Sequence, residues 1–239
     1  MSHVGVAGWT IPATIADRFE REGSHLHRYA SRFNAVEINS SFYRPHRRST
    51  YERWAASVPE SFRFAVKLPK AITHEHRLSG CGDLLERFAD EVAGLGSKRG
   101  AVLVQLPPSL GFEPTIAQRF LAEARRLLGG MIACEPRHAS WFGDEADALL
   151  ASERIARVAA DPAVTPIGGR PGGWRRAAYF RLHGTPHIYR SDYSAATISD
   201  HAIVVRALVA AGCEVWTIFD NTAAGLAPAN ALALAHDLA

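Results

Sequence analysis

Short runs of apolar and β-branched residues recur along the chain about every 30 residues, and segments with helical spacing of apolar positions lie between most of them. This alternation predicts parallel strands joined by right-handed crossovers. Eight strands at this interval are typical of a TIM-type (β/α)8 barrel, and we expect one such α/β domain over residues 1–239. The predicted strands are 4–8, 35–39, 62–67, 101–105, 131–135, 155–160, 178–183 and 214–219.

Helix signals between the strands support this pattern. The clearest predicted helices begin at an Asp83 cap, near Pro114 and at a Ser199 cap. Segment 165–174 is rich in glycine and proline, so we expect a loop there in place of a sixth helix. No G-x-G-x-x-G turn follows the first strand and no P-loop occurs, which favours the closed barrel over a doubly wound open sheet.

Polar residues occur with one parity at the carboxyl ends of several predicted strands. Successive side chains of a strand point to opposite faces, so these residues would share the barrel interior. Barrel enzymes place their active sites at this end of the strands. The inward polar residues are Glu37, Asn39, Lys67, Gln105, Glu135, Arg181 and His183, and the following loops add Trp9, Tyr43, His74, Arg137, Trp141 and Asn221.

The chemistry of these side chains divides them into two groups. Carboxylate, imidazole and amine groups can transfer protons when their pKa values are tuned, so we predict Glu37, Lys67, Glu135 and His183 as catalytic residues. Arginines can hold phosphate or carboxylate, amides can orient hydroxyls, and aromatic rings can stack on a ligand. The predicted substrate-binding residues are Trp9, Asn39, Tyr43, His74, Gln105, Arg137, Trp141, Arg181 and Asn221.

Two interpretations of Lys67 remain open at this stage. An ion pair between Glu37 and Lys67 on neighbouring strands could be purely structural. A Schiff base on Lys67 is also conceivable, but neighbouring carboxylates would raise the pKa of its amine and disfavour that chemistry.

No cofactor and no metal ligand are predicted. His74 and His76 flank Glu75, but this spacing lies in an expected loop and no H-E-x-x-H occurs, so a divalent metal there is only a weak alternative.

Composition is that of an ordinary globular protein, with 47% hydrophobic and 21% charged residues. A net charge of +3 suits a small anionic ligand or weak contact with nucleic acid. Three widely spaced cysteines predict a reducing compartment, and no apolar run is long enough for a membrane span. We therefore expect a cytoplasmic protein without a membrane partner, and the sequence leaves the oligomeric partner unknown.

Seven motifs resemble, in order, a family known as domain of unknown function 72. They are GVAGW (5–9), FNAVEINSSFYR (33–44), FRFAVKLPKAITHEHRL (62–78), VLVQLPPS (102–109), CEPRHASWF (134–142), AYFRLHG (178–184) and IFDNTAAGLAPANA (218–231). The resemblance implies a TIM-barrel-like fold and no established reaction. The rim that it implies contains Glu37, Asn39, Phe42, Tyr43, Lys67, His74, Gln105, Glu135, Trp141, Arg181, His183 and Asn221.

The chain departs from the family pattern at two places. Pro136 follows the carboxylate of the fifth strand where relatives often have an aromatic residue, and Asp220 precedes Asn221 where relatives often have paired asparagines. The aspartate could add a carboxylate to the rim.

The leading hypothesis is an enzyme of hydrolase, isomerase or lyase type that acts on a small anionic or polyhydroxylated metabolite at the carboxyl-end mouth of the barrel. A nucleic-acid-binding or phosphodiester-processing protein is the alternative, because arginines alternate with aromatic residues in segments 43–54 and 168–176. A non-catalytic binding module is the third hypothesis.

Overall fold

Parallel strands alternate with helices throughout the computed structural model, which describes residues 1–239. The strands are β1 (Ser2–Val6), β2 (Ala35–Ile38), β3 (Arg63–Lys67), β4 (Arg99–Gln105), β5 (Met131–Glu135), β6 (Ala156–Arg157), β7 (Ala159–Asp161), β8 (Gly172–Gly173), β9 (Ala177–Leu182) and β10 (Glu214–Phe219). The α-helices are α1 (His25–Ala30), α2 (Ser40–Tyr43), α3 (Arg48–Ala56), α4 (Gly82–Val92), α5 (Pro114–Leu128), α6 (Asp144–Ser152), α7 (Ala195–Ala210) and α8 (Ala227–Leu238).

The predicted strands all occur within a few residues of their expected bounds, and the sixth is divided into β6 and β7 at Val158. Two predicted helix caps are wrong. Asp83 lies in the first turn of α4, which begins one residue earlier, and the side chain of Ser194 rather than Ser199 caps α7 by accepting from the Thr197 amide at 3.1 Å. The expected loop over 165–174 is confirmed: it contains a short 3-10 turn and β8, which pairs antiparallel with β6.

The strands form two sheets, neither of which closes on itself. One has the order β1-β10-β9-β7 and the other β2-β3-β4-β5-β6-β8. They adjoin at Val158, between β6 and β7, and at an isolated parallel bridge between Ala7 and Glu37. The structure is thus a mixed α/β domain with parallel sheets, and the predicted closed eight-stranded barrel is not shown.

Side chains replace the backbone ladder where β1 meets β2. The Tyr29 hydroxyl accepts from the Val6 amide at 2.8 Å and donates to the Ala35 carbonyl at 3.0 Å. The Asn34 amide likewise pairs with backbone groups of β1 at 2.8 and 3.0 Å. A Cβ on Gly5 would lie 2.1 Å from the Ala35 carbonyl oxygen, so only glycine permits this approach. These side-chain bridges satisfy buried backbone groups that a ladder would otherwise pair, and we call them the β1–β2 seam.

Strand parity separates an interior apolar cluster from two outer clusters, as predicted. The interior cluster consists of alanines, larger aliphatic residues and two aromatic residues, Tyr179 and Trp216, whose rings stack with their planes 9° apart. The residues of the opposite parity, including Val36, Ile38 and Val66, pack in a larger cluster with the helices. The interior parity ends, at the carboxyl end of the strands, in charged side chains.

None of the helices combines the length and the apolar character needed to cross a bilayer. The cellular compartment stays a prediction.

Candidate functional site

One buried guanidinium connects three carboxylates at the carboxyl end of the strands. Arg181 on β9 donates from Nε and Nη2 to the two oxygens of Glu37, at 3.1 and 2.7 Å. It also donates at 2.8 Å to Glu135 on β5 and at 2.8 Å to Asp220, which follows β10. Arg181, Glu37 and Glu135 are at most 1% exposed. We call these four residues the Arg181 cluster, and its members come from both sheets.

The pKa values of the cluster favour the charged forms. Burial opposes the ionisation of Glu135, but the Arg181 guanidinium and the His183 hydrogen bond outweigh burial and hold the pKa of the carboxyl well below its usual range. The pKa of Asp220 is lowered by the same balance. Burial also opposes the charge on Arg181, yet the three carboxylates raise the pKa of its guanidinium. Glu135, Asp220 and Arg181 are therefore held in their charged forms in the interior.

The imidazole of His183 is held between two carboxylates of this cluster. Its Nδ1 lies 3.1 Å from Oδ2 of Asp220, and its Nε2 lies 3.1 Å from Oε1 of Glu135. Burial disfavours the imidazolium, but the two hydrogen bonds outweigh this and raise the pKa of His183. Arg137 donates from Nε to the same Glu135 oxygen at 3.0 Å, and its Nη2 lies 2.7 Å from that oxygen and 3.2 Å from Nε2 of His183. Nε2 can therefore donate to Glu135 when protonated and accept from Arg137 when neutral.

Lys67, at the end of β3, has no ion-pair partner. Its side chain is only 8% exposed, and its Nζ lies 4.2 Å from the centroid of the Phe42 ring, but no carboxylate oxygen lies within 4.0 Å. The Glu37–Lys67 ion pair that the sequence left open is absent, because Glu37 is bonded to Arg181 and to the Tyr179 hydroxyl at 2.8 Å.

The expected pKa direction for Lys67 is also wrong. The nearby carboxylates do raise the pKa of the amine, but burial, followed by the charge of Arg181, outweighs them and lowers it.

Uncommitted polar groups surround Lys67. Asn39 and Lys67 directly follow Ile38 and Val66, the last pair between β2 and β3, and the Asn39 Oδ1 is buried without a hydrogen-bond partner. Gln105, at the end of β4, is half-buried.

His74 lies beside the cations of the mouth, and its surroundings favour the neutral imidazole. Its ring packs edge-on against Phe42 at 5.0 Å, and burial together with the charges of Lys67 and Arg137 lowers its pKa. The accessible side of the site thus contains cations and amides, whereas the carboxylates lie behind it.

The loop residues predicted for substrate binding lie in different surroundings. Trp9 is half-buried against Trp54, and Tyr43 is 72% exposed. Trp141 is 1% exposed and donates to a backbone carbonyl at 3.0 Å, and the buried Asn221 donates to the Ser191 carbonyl at 2.9 Å and to the Asn230 side chain of α8 at 2.8 Å. Trp141 and Asn221 therefore hold loops in place, and a role in substrate binding stays a prediction for all four residues.

Two members of the network were not among the predicted site residues. Asp220, which the sequence offered only as a possible added carboxylate, has the inward parity of Trp216 and Ile218, so extending the eighth strand by one residue would have placed it in the site. Tyr179 shares the parity of Arg181, but no sequence signal shows that its hydroxyl bonds Glu37 across the domain. The chain assembles no group of three histidine, cysteine, aspartate or glutamate side chains that could hold a metal ion.

Comparison with known proteins identifies relatives of the whole fold. A family model described as "Protein of unknown function DUF72" matches residues 3–239. The UPF0759 protein YecE of Escherichia coli K12 is 31% identical over 112 residues, which cover 46% of this chain and 39% of that protein. The UPF0759 protein YunF of Bacillus subtilis 168 is 26% identical over 149 residues, covering 59% and 52%. The chain thus spans about half the length of these curated relatives, or less.

Solved structures extend the comparison to the full chain. A DUF72 family protein from Enterococcus faecalis V583 superimposes with a TM-score of 0.82 at 23% identity, covering 100% of this chain and 95% of that one. A DUF72 family protein from Thermotoga maritima MSB8 gives 0.81 at 24% identity, covering 100% and 99%. At this level of identity the likeness shows the fold.

Proposed function

The chain belongs to the DUF72 family, and we propose that it is an enzyme that acts on a small anionic metabolite at the mouth formed by the carboxyl ends of its strands. We treat the two sheets as the wall of an incomplete TIM-type barrel with a single mouth. The observation that carries the proposal is the distribution of charge there. Every carboxylate of the Arg181 cluster is bonded, whereas the Lys67 ammonium faces the mouth without a partner.

Counting charges supports an anionic ligand. The three carboxylates are balanced by Arg181, by Arg137 and by one further positive charge, which either Lys67 or His183 can carry by holding a proton. When both are protonated, the site carries one excess positive charge. A bound anion would compensate that charge and would favour the doubly protonated state, so binding and proton uptake are expected to be linked.

The residues divide by access to the mouth. Lys67 and Arg137, whose side chain is 20% exposed, are placed to contact the ligand, while Asn39 and Gln105 offer amides to its hydroxyl or carbonyl groups. His183 can exchange a proton at Nε2 and is the candidate acid or base. Glu37 has no exposed surface and both of its oxygens are bonded, so we assign it to positioning Arg181. Hydrolysis, isomerisation and lyase chemistry all fit this set.

A thermal-shift screen tests the proposal. The probes are phosphorylated sugars, dicarboxylates, nucleotides and short single-stranded DNA. A ligand at about 100 times its Kd adds about 2.7 kcal/mol to native stability, which corresponds to about 5–10 °C in Tm for a chain of this size. We expect a small anion to produce such a shift in the wild type and in Lys70→Met, an exposed lysine three residues away, but not in Lys67→Met. Equal shifts in all three proteins would exclude the Lys67 site.

Single-stranded nucleic acid is the second candidate ligand. The observation that favours it is Tyr43, which is 72% exposed beside the exposed Arg44 and Arg47 and therefore offers a stacking surface among cations. Under this alternative, DNA would raise Tm, salt would abolish the effect and Tyr43→Ala would weaken it. A salt-insensitive shift by a small anion alone supports the metabolite site instead.

A further inference from the structure

We infer that Lys67 forms a Schiff base with the carbonyl group of an anionic substrate. The inference rests on the proposed function and narrows its substrate class to aldehydes and ketones that carry a carboxylate or phosphate group. The positive side chains at the mouth would attract the anionic group, and the Lys67 nitrogen would react with the carbonyl carbon.

Lys67 differs from the other buried cations of the chain in lacking a carboxylate partner. Arg157 is 3% exposed and bonds Asp147 at 3.1 Å, and Arg181 is 1% exposed and bonds three carboxylates. Half-buried Lys98 donates to two backbone carbonyls, each at 2.8 Å. An unpaired buried ammonium costs far more free energy than a neutral amine in the same place. The surroundings of Lys67 therefore shift its proton equilibrium toward the amine, which is the nucleophilic form.

The neighbours of Lys67 suit a carbonyl ligand. The face of the Phe42 ring lies 4.2 Å from Nζ and restricts the amine to the side that opens on the mouth. Asn39 follows β2 at the position next to Lys67, and its buried Oδ1 has no hydrogen-bond partner, so this oxygen can accept from a hydroxyl that forms on the carbonyl carbon. The lowered pKa of the amine, caused first by burial and then by Arg181, agrees with this geometry.

The step balances without an oxidant or reductant. The Lys67 ammonium first loses one proton, and its nitrogen lone pair then forms a C–N bond as the carbonyl π pair moves to oxygen. The resulting carbinolamine loses its oxygen as water, which takes one proton from nitrogen and the proton released at the start. The products are a protonated imine and water. The imine can withdraw electrons from the adjacent carbon, as lyases and isomerases of carbonyl compounds require.

Borohydride trapping tests this inference on the intact protein. The protein is incubated with glyoxylate, pyruvate or glyceraldehyde 3-phosphate, reduced with sodium borohydride and mapped by peptide mass spectrometry. We expect a reduced adduct on Lys67 that forms faster at pH 7 than on Lys70, because the lowered pKa leaves a larger fraction of the Lys67 amine unprotonated, by about tenfold per pKa unit. The labelling rate of Lys67 should also level off at lower pH than that of Lys70.

Controls separate this inference from the proposed function. Lys67→Arg keeps a cation and should bind inorganic phosphate in the thermal-shift assay without being trapped. If phosphate stabilises the wild type through Lys67 but carbonyl probes label Lys67 no faster than Lys70, the Schiff base is refuted and the anion site remains. If Lys67 is trapped but phosphate neither binds nor competes, the covalent step stands and the anionic class is wrong. Absence of both effects overturns both proposals.

Discussion

Replacing Arg181 with methionine removes the centre of the buried network while keeping a side chain of similar length. Glu135 would keep Arg137 and His183, and Asp220 would keep His183, but Glu37 would keep only the Tyr179 hydroxyl. Glu37 is fully buried, so the variant contains a carboxylate with one neutral donor in the interior. Removal of one partner of a buried ion pair costs about 3–5 kcal/mol, and we expect Arg181→Met to lie in this range.

The assay is urea unfolding at pH 7, with the midpoint and slope compared between variant and wild type. Arg87→Met is the matched control, because Arg87 pairs with Glu91 on the surface of α4, where such a pair contributes less than about 1 kcal/mol. Adding Glu37→Gln to Arg181→Met should recover about 1–3 kcal/mol by removing the unpaired charge.

The pH dependence of the same variant gives an independent check. In the wild type the carboxyl pKa of Glu135 is depressed, so its contribution to stability is present above the unfolded pKa and is lost as the pH falls. In the variant, the buried Glu37 carboxylate has lost its cationic partner, so the penalty of that unpaired charge should disappear as the pH falls and the carboxylate is protonated. The stability gap should therefore narrow between pH 7 and pH 4. A loss below about 1 kcal/mol, or a gap independent of pH, would refute the reasoning.

Three further predictions follow from the contacts described above. Tyr179→Phe should cost about 1–3 kcal/mol, because it deletes a buried donor at 2.8 Å from its carboxylate; urea unfolding measures this loss. The pKa of His183 is raised in the folded protein, so its imidazolium contributes fully to the free energy of unfolding below its ordinary pKa of 6.5. This contribution is lost as the pH rises through the raised pKa. His183→Gln should therefore abolish the decline of the urea midpoint at alkaline pH. Gly5→Ala should lower Tm far more than Gly129→Ala. A Cβ at position 5 would lie 2.1 Å from a carbonyl oxygen, whereas a Cβ at position 129 meets no neighbouring atom and only the positive φ there opposes alanine.

Strand parity was enough to predict the convergence of the charged residues. Glu37, Glu135, Arg181 and His183 do meet, because a period of two residues is set by the backbone alone. Parity says nothing about which partner a charge selects, so it could not show that Glu37 bonds Arg181 and leaves Lys67 unpaired. That choice depends on side-chain reach across the interior, which is a tertiary property.

The lack of backbone pairing between β1 and β2 could not be predicted from the sequence, for a related reason. The pattern of strands predicts which segments are neighbours, but the replacement of backbone pairing by Tyr29 and Asn34 depends on two side chains outside the strands. Tyr29 reads in the sequence as an ordinary apolar position of a helix. Its hydroxyl acquires a function only when residues 23 positions earlier and 6 positions later are brought beside it.

The β1–β2 seam also determines where the molecule opens first. A backbone ladder separates only when several hydrogen bonds break together, whereas each bridge at the seam ends when one side chain rotates away. Local opening at β1 therefore needs less free energy than opening between β9 and β10, and the amide protons of Val4 and Val6 should exchange with solvent earlier than those of the other central strands. The seam ends at the bridge between Ala7 and Glu37, so the same fluctuation brings water to the deepest carboxylate of the network. We therefore expect the opening of β1 from β2 to set how fast the buried charges of the Arg181 cluster exchange protons with solvent.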